Sequence, residues 1–301
     1  MSILAFLNMI FLKIIGLLLS AILVWTVQCP AGEPIEPDDA QNLKLQASLL
    51  ADVHMQSFEY TGFQELAWGL RGIGNSTVKQ DALVFVGDNT MNGQNFEHLM
   101  FYGILSHYSP VKRANTLVAM GNHDYAAAAT VNAAIDRNNF FLRSWNGAVN
   151  DKAYYSKVIN GYTFVILAGD DPENEYTLTA AQAAWLAETM AAAATGKPVF
   201  VFCHYDLSWY DANDAAILAV LEQYPNVFLF NGHWHTGLDA DTDGNITWVN
   251  LPALHGRHSD GRGMGEGTQM EVYTDRVLLR CRNYVTGEWL EGVDFEITLA
   301  S

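Results

Sequence analysis

The sequence is poor in cysteine and in positive charge. Of 301 residues three are cysteine, and 16 lysines and arginines face 33 aspartates and glutamates, a formal net charge of −17. Three cysteines cannot build the disulfide framework of a small secreted scaffold. Cys29 lies in the N-terminal segment, while Cys203 and Cys281 fall in apolar, strand-like runs and read as buried thiols. An acidic surface repels a phosphate backbone, which argues against long nucleic acid as a partner but leaves room for a small anionic ligand at a local cationic site. Charge of either sign is scarce at 16%, against 50% apolar residues, so the chain is not intrinsically disordered. No repeat of solenoid period is visible.

The N-terminus stands apart from the rest. Residues Ile3 to Val27 are almost wholly apolar, with Lys13 as the one charge, and Ile14 to Val27 form an apolar core. Cys29, Ala31 and the Pro/Glu/Asp-rich stretch Pro30 to Asp39 follow. A basic flank, an apolar core and a small-residue exit are the order of a secretory signal. Residues 1–31 are therefore expected to be a signal peptide cleaved after Ala31 or an uncleaved membrane anchor, and residues 32–42 an acidic linker. Translation from Met9 would give a leader of more usual shape, and lipidation at Cys29 is a weaker reading. The expected location is extracytoplasmic, with membrane attachment through this segment as one form of it.

Beyond the linker, short β-branched and aromatic runs end in Asp, His or Gly and alternate with amphipathic stretches. Leu43–Leu50, Ala82–Val86, Thr116–Met120, Tyr162–Ala168, Val199–Cys203 and Val227–Phe230 read as strands. Phe96–Tyr108 reads as a helix. Thr179-Ala-Ala-Gln182 predicts a capping box opening another, which ends before Gly196-Lys-Pro198. After His235, Ile246–Asn250, Thr268–Tyr273, Val277–Tyr284 and Phe295–Leu299 read as a strand meander. The pattern predicts an α/β fold.

The chemistry sits at strand ends. In order these carry Asp52-Val-His54, Gly87-Asp88-Asn89, Gly121-Asn122-His123-Asp124, His204, and Gly232-His233-Trp-His235. Residues i and i+2 of a strand or its continuation point to the same side, so Asp52 with His54, and His233 with His235, are expected to converge. Glycines 87, 121 and 232 allow tight turns or a close backbone approach. Imidazoles, carboxylates and an amide oxygen, with no thiolate, suit borderline divalent metals such as zinc, manganese or iron. Seven donors are too many for one tetrahedral ion and enough for two. Open α/β sheets place their sites at such strand ends.

This motif series resembles that of the calcineurin-like metallophosphoesterase superfamily: Asp-X-His, Gly-Asp, Gly-Asn-His-Asp/Glu, His, Gly-His-X-His. Each motif is intact, over about Leu43 to His235. Gly87-Asp88-Asn89-Thr90-Met-Asn-Gly93, and Leu178–Gln182 with Trp185-Leu186, are similar to the cyclic-nucleotide phosphodiesterase-like branch. Purple acid phosphatases differ, since their metal-binding tyrosine would fall at Met91. The resemblance implies a four-layer αββα sandwich of two mixed sheets flanked by helices, over residues 43–301. It implies two divalent ions (manganese, iron or zinc), one held by Asp52, His54 and His235, the other by Asn122, His204 and His233, with Asp88 bridging. His123 is then the general acid or phosphate-oxygen donor, and Asp124 the residue that orients it. The implied activity is hydrolysis of small phosphomonoesters or phosphodiesters by attack of a metal-activated hydroxide.

Two non-enzymatic readings compete: a metal-bound scaffold for a partner, and an envelope binding module with incidental phosphatase activity. Scaffold members are recognised by loss of the Gly-Asn-His histidine or of ligands, and neither loss occurs here. His255 and His258, with Arg257, lie in a Gly-rich loop that either lines the substrate mouth or is simply solvated. Gly169–Glu175 reads as an acidic surface turn, Arg143 as an outside candidate for a substrate contact, and His98 and His107 receive no role.

Overall fold

In the computed structural model the described residues are 7, 10–16, 18, 32–148, 150–193, 196–208, 212–256 and 265–300. The first half contains β1 (Leu45–Leu50), α1 (Tyr60–Gly74), β2 (Ala82–Val86), α2 (Asn95–Tyr108), β3 (Thr116–Ala119), α3 (Asn122–Tyr125) and α4 (Val131–Asn146). The second contains β4 (Tyr155–Ile159), β5 (Tyr162–Leu167), α5 (Ala180–Ala192), β6 (Val199–Cys203), α6 (Ala212–Leu221), β7 (Val227–Asn231), β8 (Asp239–Asp243) and β9 (Ile246–Asn250). The chain closes with β10 (Glu266–Val272), β11 (Arg276–Asn283), β12 (Glu288–Trp289) and β13 (Phe295–Thr298).

The strands form two mixed sheets. In the seven-stranded sheet the order is β12-β11-β10-β1-β2-β3, with β13 also on β11; in the six-stranded sheet it is β4-β5-β6-β7-β9-β8. The central pairs β1–β2–β3 and β5–β6–β7–β9 are parallel, so their C-terminal ends share one edge of each sheet. Side-chain alternation then sorts the core into layers. On β2, Leu83 and Phe85 meet the Leu66, Leu70, Phe101 and Ile104 side of α1 and α2, whereas Val84 and Val86 turn to the other sheet. On β5, Phe164 and Ile166 join that inter-sheet layer and Val165 and Leu167 pack with Leu186, Met190 and Ile217 of α5 and α6. The result is the expected four-layer αββα sandwich. Most of the inter-sheet layer on the β6–β7 side is aromatic: Phe200, Phe202, Phe228 and Phe230 are fully buried.

The C-terminal strands are not one meander. β8 and β9 form a hairpin in the six-stranded sheet, β9 lying parallel to β7, and β10, β11 and β13 cross to the other sheet. The expected capping box is half present: the Thr179 hydroxyl accepts from the Gln182 backbone N–H at 3.4 Å. The Gln182 amide instead donates inward to the Ala168 carbonyl and to Asp170, which also accepts from the Thr179 N–H. The acidic run thus supplies a cap. The segment 32–42 lies on the domain: Ile35 is buried and bridges to Ser76, and Asp38 pairs with Arg276 at 2.9 Å. Arg280 and Arg282 of β11 add hydrogen bonds to the backbone carbonyls of Glu36 and Glu33. Cys203 and Cys281 are buried and no disulfide joins them. Of the proposed leader, residues 10–16 are helical with Leu12 buried, and the Ala31 cleavage point and Cys29 lie outside the described residues. Among the described residues no helix is long and apolar enough to cross a membrane.

Candidate metal centre

The loops after β1, β2, β3, β7 and β9 meet in one cleft of about 360 Å³, lined by His54, Asp88, Asn122, His123, His233 and His235 together with Gln56, Glu59, Met91, His255 and Gly256. Convergence comes from the backbone. Asp52, His54, Asp88, His233 and His235 all hold left-handed φ values, between 44° and 72°. Each such non-glycine residue costs on the order of 1–3 kcal/mol, and strain of this kind collects where a site over-determines the chain. Strand alternation was the expected cause of the i, i+2 convergence; beyond the strand ends these kinks produce it instead. Gly121 is needed for space, since a Cβ there would strike the Asp88 carboxylate and the His204 ring, and Gly87 has φ +81° with the His204 ring against it.

All seven expected ligands come together. Nε2 of His235 lies 3.1 Å from Asp52 Oδ1 and 2.9 Å from His54 Nε2. Asp88 Oδ2 is 3.7 Å from His54 Nε2 and 3.3 Å from His204 Nε2. His233 Nδ1 is 3.0 Å from Asn122 Oδ1. Three overlapping donor groups result: Asp52, His54 and His235; His54, Asp88 and His123; Asp88, His204 and His233, each with donor atoms within 4.8 Å of one another. Asp88 is shared between the last two.

Fully buried His204 has Nδ1 on the Val86 carbonyl at 2.8 Å, while Nε2 points inward without a hydrogen-bond partner. A buried imidazole nitrogen left open beside two carboxylates asks for a cation. Without one a proton fills that role: burial opposes charge on His204, but Asp88 and then Asp52 push its pKa up to about 9. Burial likewise favours a neutral Asp88, yet the imidazoles of His204, His54 and His123 hold its carboxyl below the usual range. His54 goes the other way, burial lowering it to about 4, so it offers an unprotonated nitrogen. Nitrogen and oxygen donors with two carboxylates and no thiolate fit two divalent cations.

His123 lies beside this centre, its ring 4.8 Å from that of His54 and its backbone N–H donating to Asp88 Oδ1 at 2.9 Å. Asp124 does not orient it. The buried Asp124 carboxylate accepts from the Asn89 N–H and side-chain amide, the Thr90 N–H and hydroxyl, and the Gly121 N–H, at 2.7–3.2 Å. Successive residues of a helical turn point about 100° apart, so His123 faces the cleft while Asp124 faces inward and ties the loop after β2 to the loop after β3. The imidazole is oriented by the Met91 carbonyl, 2.6 Å from Nδ1. A backbone acceptor leaves no mark in a sequence. Nor did the sequence mark Gln56 or Glu59 as cleft residues. Arg143 bonds the Asn150 carbonyl and does not line the cleft, and Arg257 and His258 lie outside the described residues.

Residues 49–237 match the family model described as calcineurin-like phosphoesterase. No curated protein matches the chain. Among solved structures, a dimetal phosphatase from Danio rerio superposes with a TM-score of 0.63 at 16% identity, covering 86% of this chain and 100% of that one. A purple acid phosphatase from seeds of yellow lupin (Lupinus luteus) superposes with a TM-score of 0.61 at 14% identity, over 84% of this chain and 53% of that one. At these identities the two likenesses speak to the fold.

Proposed function

Because the chain belongs to the calcineurin-like phosphoesterase family, and is a metal-dependent phosphoester hydrolase, we propose that it is an exported enzyme that hydrolyses small phosphomonoesters or phosphodiesters at a two-cation centre. The observation that carries this reading is Asp88, whose Oδ2 faces His54 on one side and His204 on the other, at 3.7 and 3.3 Å. Asp52, His54 and His235 would hold one ion, Asn122, His204 and His233 the second, with Asp88 between them. Two bound divalent cations supply Lewis acidity toward the phosphoryl group and make a nucleophile of water near neutral pH.

The protein's own groups do the rest. A carbonyl oxygen only accepts, so the His123 Nδ1 facing Met91 carries the proton and Nε2 is the atom left for the substrate. Protonated, Nε2 donates to the departing ester oxygen or to a phosphate oxygen. Asp124 fixes the loops so that this ring and Asp88 keep their spacing. No lysine or arginine lines the cleft among the described residues, which suits a small substrate and not a polyanion. Export is supported by the Lys13–apolar–Ala31 order.

One preparation tests the whole reading. Protein recovered from the envelope or medium should begin near residue 32, contain two divalent ions per chain and hydrolyse p-nitrophenyl phosphate or its bis ester. Chelation should abolish that activity and manganese or another divalent ion restore it. Full activity in exhaustively stripped protein would overturn the metal reading, and cytoplasmic protein still carrying Ile14–Val27 would overturn export.

A further inference from the structure

We propose that His255, backed by Glu65, forms a subsite for a second anionic group of the substrate, beside the phosphoryl group at the metal centre. The inference rests on the phosphoesterase reading and adds to it a substrate class: phosphoesters carrying a neighbouring carboxylate or second phosphoryl group.

Glu65 sits on the inner face of α1, 2% exposed, and its one hydrogen-bond partner among the described residues is His255 Nδ1. A carboxylate buried this deeply is costly unless a cation or strong donor meets it, and the imidazolium of His255 serves as both. The ring is well placed. The backbone N–H of His255 donates to the Asp52 carbonyl at 3.0 Å, and that of Leu254 to the Ala51 carbonyl at 2.9 Å, so the loop is pinned to the segment that carries Asp52 and His54. Gly256 lies against His235.

The other ring nitrogen opens on the cleft. There the Glu59 carboxylate stands 3.6 Å from Nε2, too far for a hydrogen bond, on a side chain 36% exposed and free to swing into water. An anion thus already stands where the subsite would take one, loosely held. Five histidines line the cleft among the described residues; four belong to the metal centre or are His123, and no lysine or arginine is present. Among the described residues His255 is the remaining group of the cleft able to meet charge beyond the reacting phosphoryl. A purely structural Glu–His pair would be closed off from the cleft, whereas the His255 side chain is 16% exposed and lines it.

Two residues of one cluster should then act with opposite sign. Calorimetry on the manganese-loaded protein would compare methylphosphonate, which has one anionic head, with phosphonoacetate and methylenebisphosphonate, which have two. The parent should prefer a two-headed ligand, and whether the carboxylate or the second phosphonate gains more identifies the second group. His255→Gln should remove roughly 10- to 100-fold of that preference, the worth of a charge-assisted hydrogen bond, and Glu65→Gln should move it the same way. Glu59→Gln should raise it, by removing the competing carboxylate. Because His255→Gln strands a buried carboxylate, the neutral double variant Glu65→Gln/His255→Gln keeps the test open if the single change fails to fold. Unchanged preference in these variants with methylphosphonate binding intact would overturn the subsite alone. Failure of the parent to bind manganese or methylphosphonate would overturn the phosphoesterase reading and the subsite with it.

Discussion

His204, at the end of β6, and His98, inside the α2–α4 layer, are both wholly buried, yet they are driven in opposite directions. His204 faces Asp88 and Asp52 and is pushed up to about 9. His98 stacks on Phe141, ring centroids 5.1 Å apart at 13°, and its Nε2 has no partner. Burial, with the Arg137 charge adding to it, lowers His98 to about 3. One imidazole is held ready for a cation; the other is a packing unit that refuses even a proton. Neighbours, not burial, separate a candidate ligand from a core histidine.

The sharpest way to break this comparison is to remove the carboxylate that makes it. Asp88→Ala should take the ion content from two per chain toward one or none and bring hydrolysis below detection. The loss follows from geometry, because one carboxylate faces both halves of the centre and offsets the repulsion between two cations. In the ion-free protein His204 would lose its main counter-charge and its pKa should fall toward that of a buried, unpartnered ring. Asn122→Ala should be milder, since a neutral amide contributes no charge. Two tightly bound ions in Asp88→Ala would remove Asp88 from the shared position.

A smaller effect separates His123 from its neighbour Asp124. If His123 protonates the leaving oxygen, its loss matters most for a basic alkoxide and least for nitrophenolate. General acid catalysis is worth 10²–10⁴-fold, roughly 3–5 kcal/mol of barrier. His123→Ala should cost alkyl esters about that much and nitrophenyl esters far less, with ion content unchanged. Asp124→Asn should leave this leaving-group dependence intact and lower the melting temperature, because its carboxylate is a loop anchor. Equal loss on both ester types would make His123 a phosphate binder, and loss of ions would make it a ligand.

These contrasts mark how far the sequence could be read. Strands such as β2, β6 and β9 were legible to the residue because they are apolar runs between turn formers. β8 was not: Asp239-Ala-Asp-Thr-Asp243 has no strand composition and forms because it lies at an edge, paired with β9. β4 escaped for the same reason, its middle residues being polar or exposed. The seven donor positions were legible because the site is written in short motifs at strand ends. What those motifs cannot carry is direction. The inward turn of Asp124, the Met91 carbonyl behind His123, and the Glu65–His255 contact across 190 residues depend on where loops from distant strands lie. His98 shows the same limit, since its sequence neighbourhood reads as an ordinary amphipathic helix.

The last test sharpens the comparison from the His98 side. Its folded-state pKa, about 3, lies below the value near 6.5 expected when unfolded, so the unfolded chain takes the proton first. The stability this represents is full above pH 6.5 and is lost as pH falls from 6.5 toward 3. At pH 5 the loss is about 1.5 pH units at 1.36 kcal/mol each, on the order of 2 kcal/mol. His98→Phe keeps an aromatic ring against Phe141 and removes both the titration and the unpartnered Nε2. Urea unfolding of chelated protein at pH 7 and pH 5 should therefore show the parent losing about 2 kcal/mol more than the variant between the two pH values. At pH 7 the variant should be at least as stable as the parent. Equal losses in parent and variant would mean that His98 takes up its proton in the folded state without penalty, and the contrast with His204 would then be one of location and not of environment.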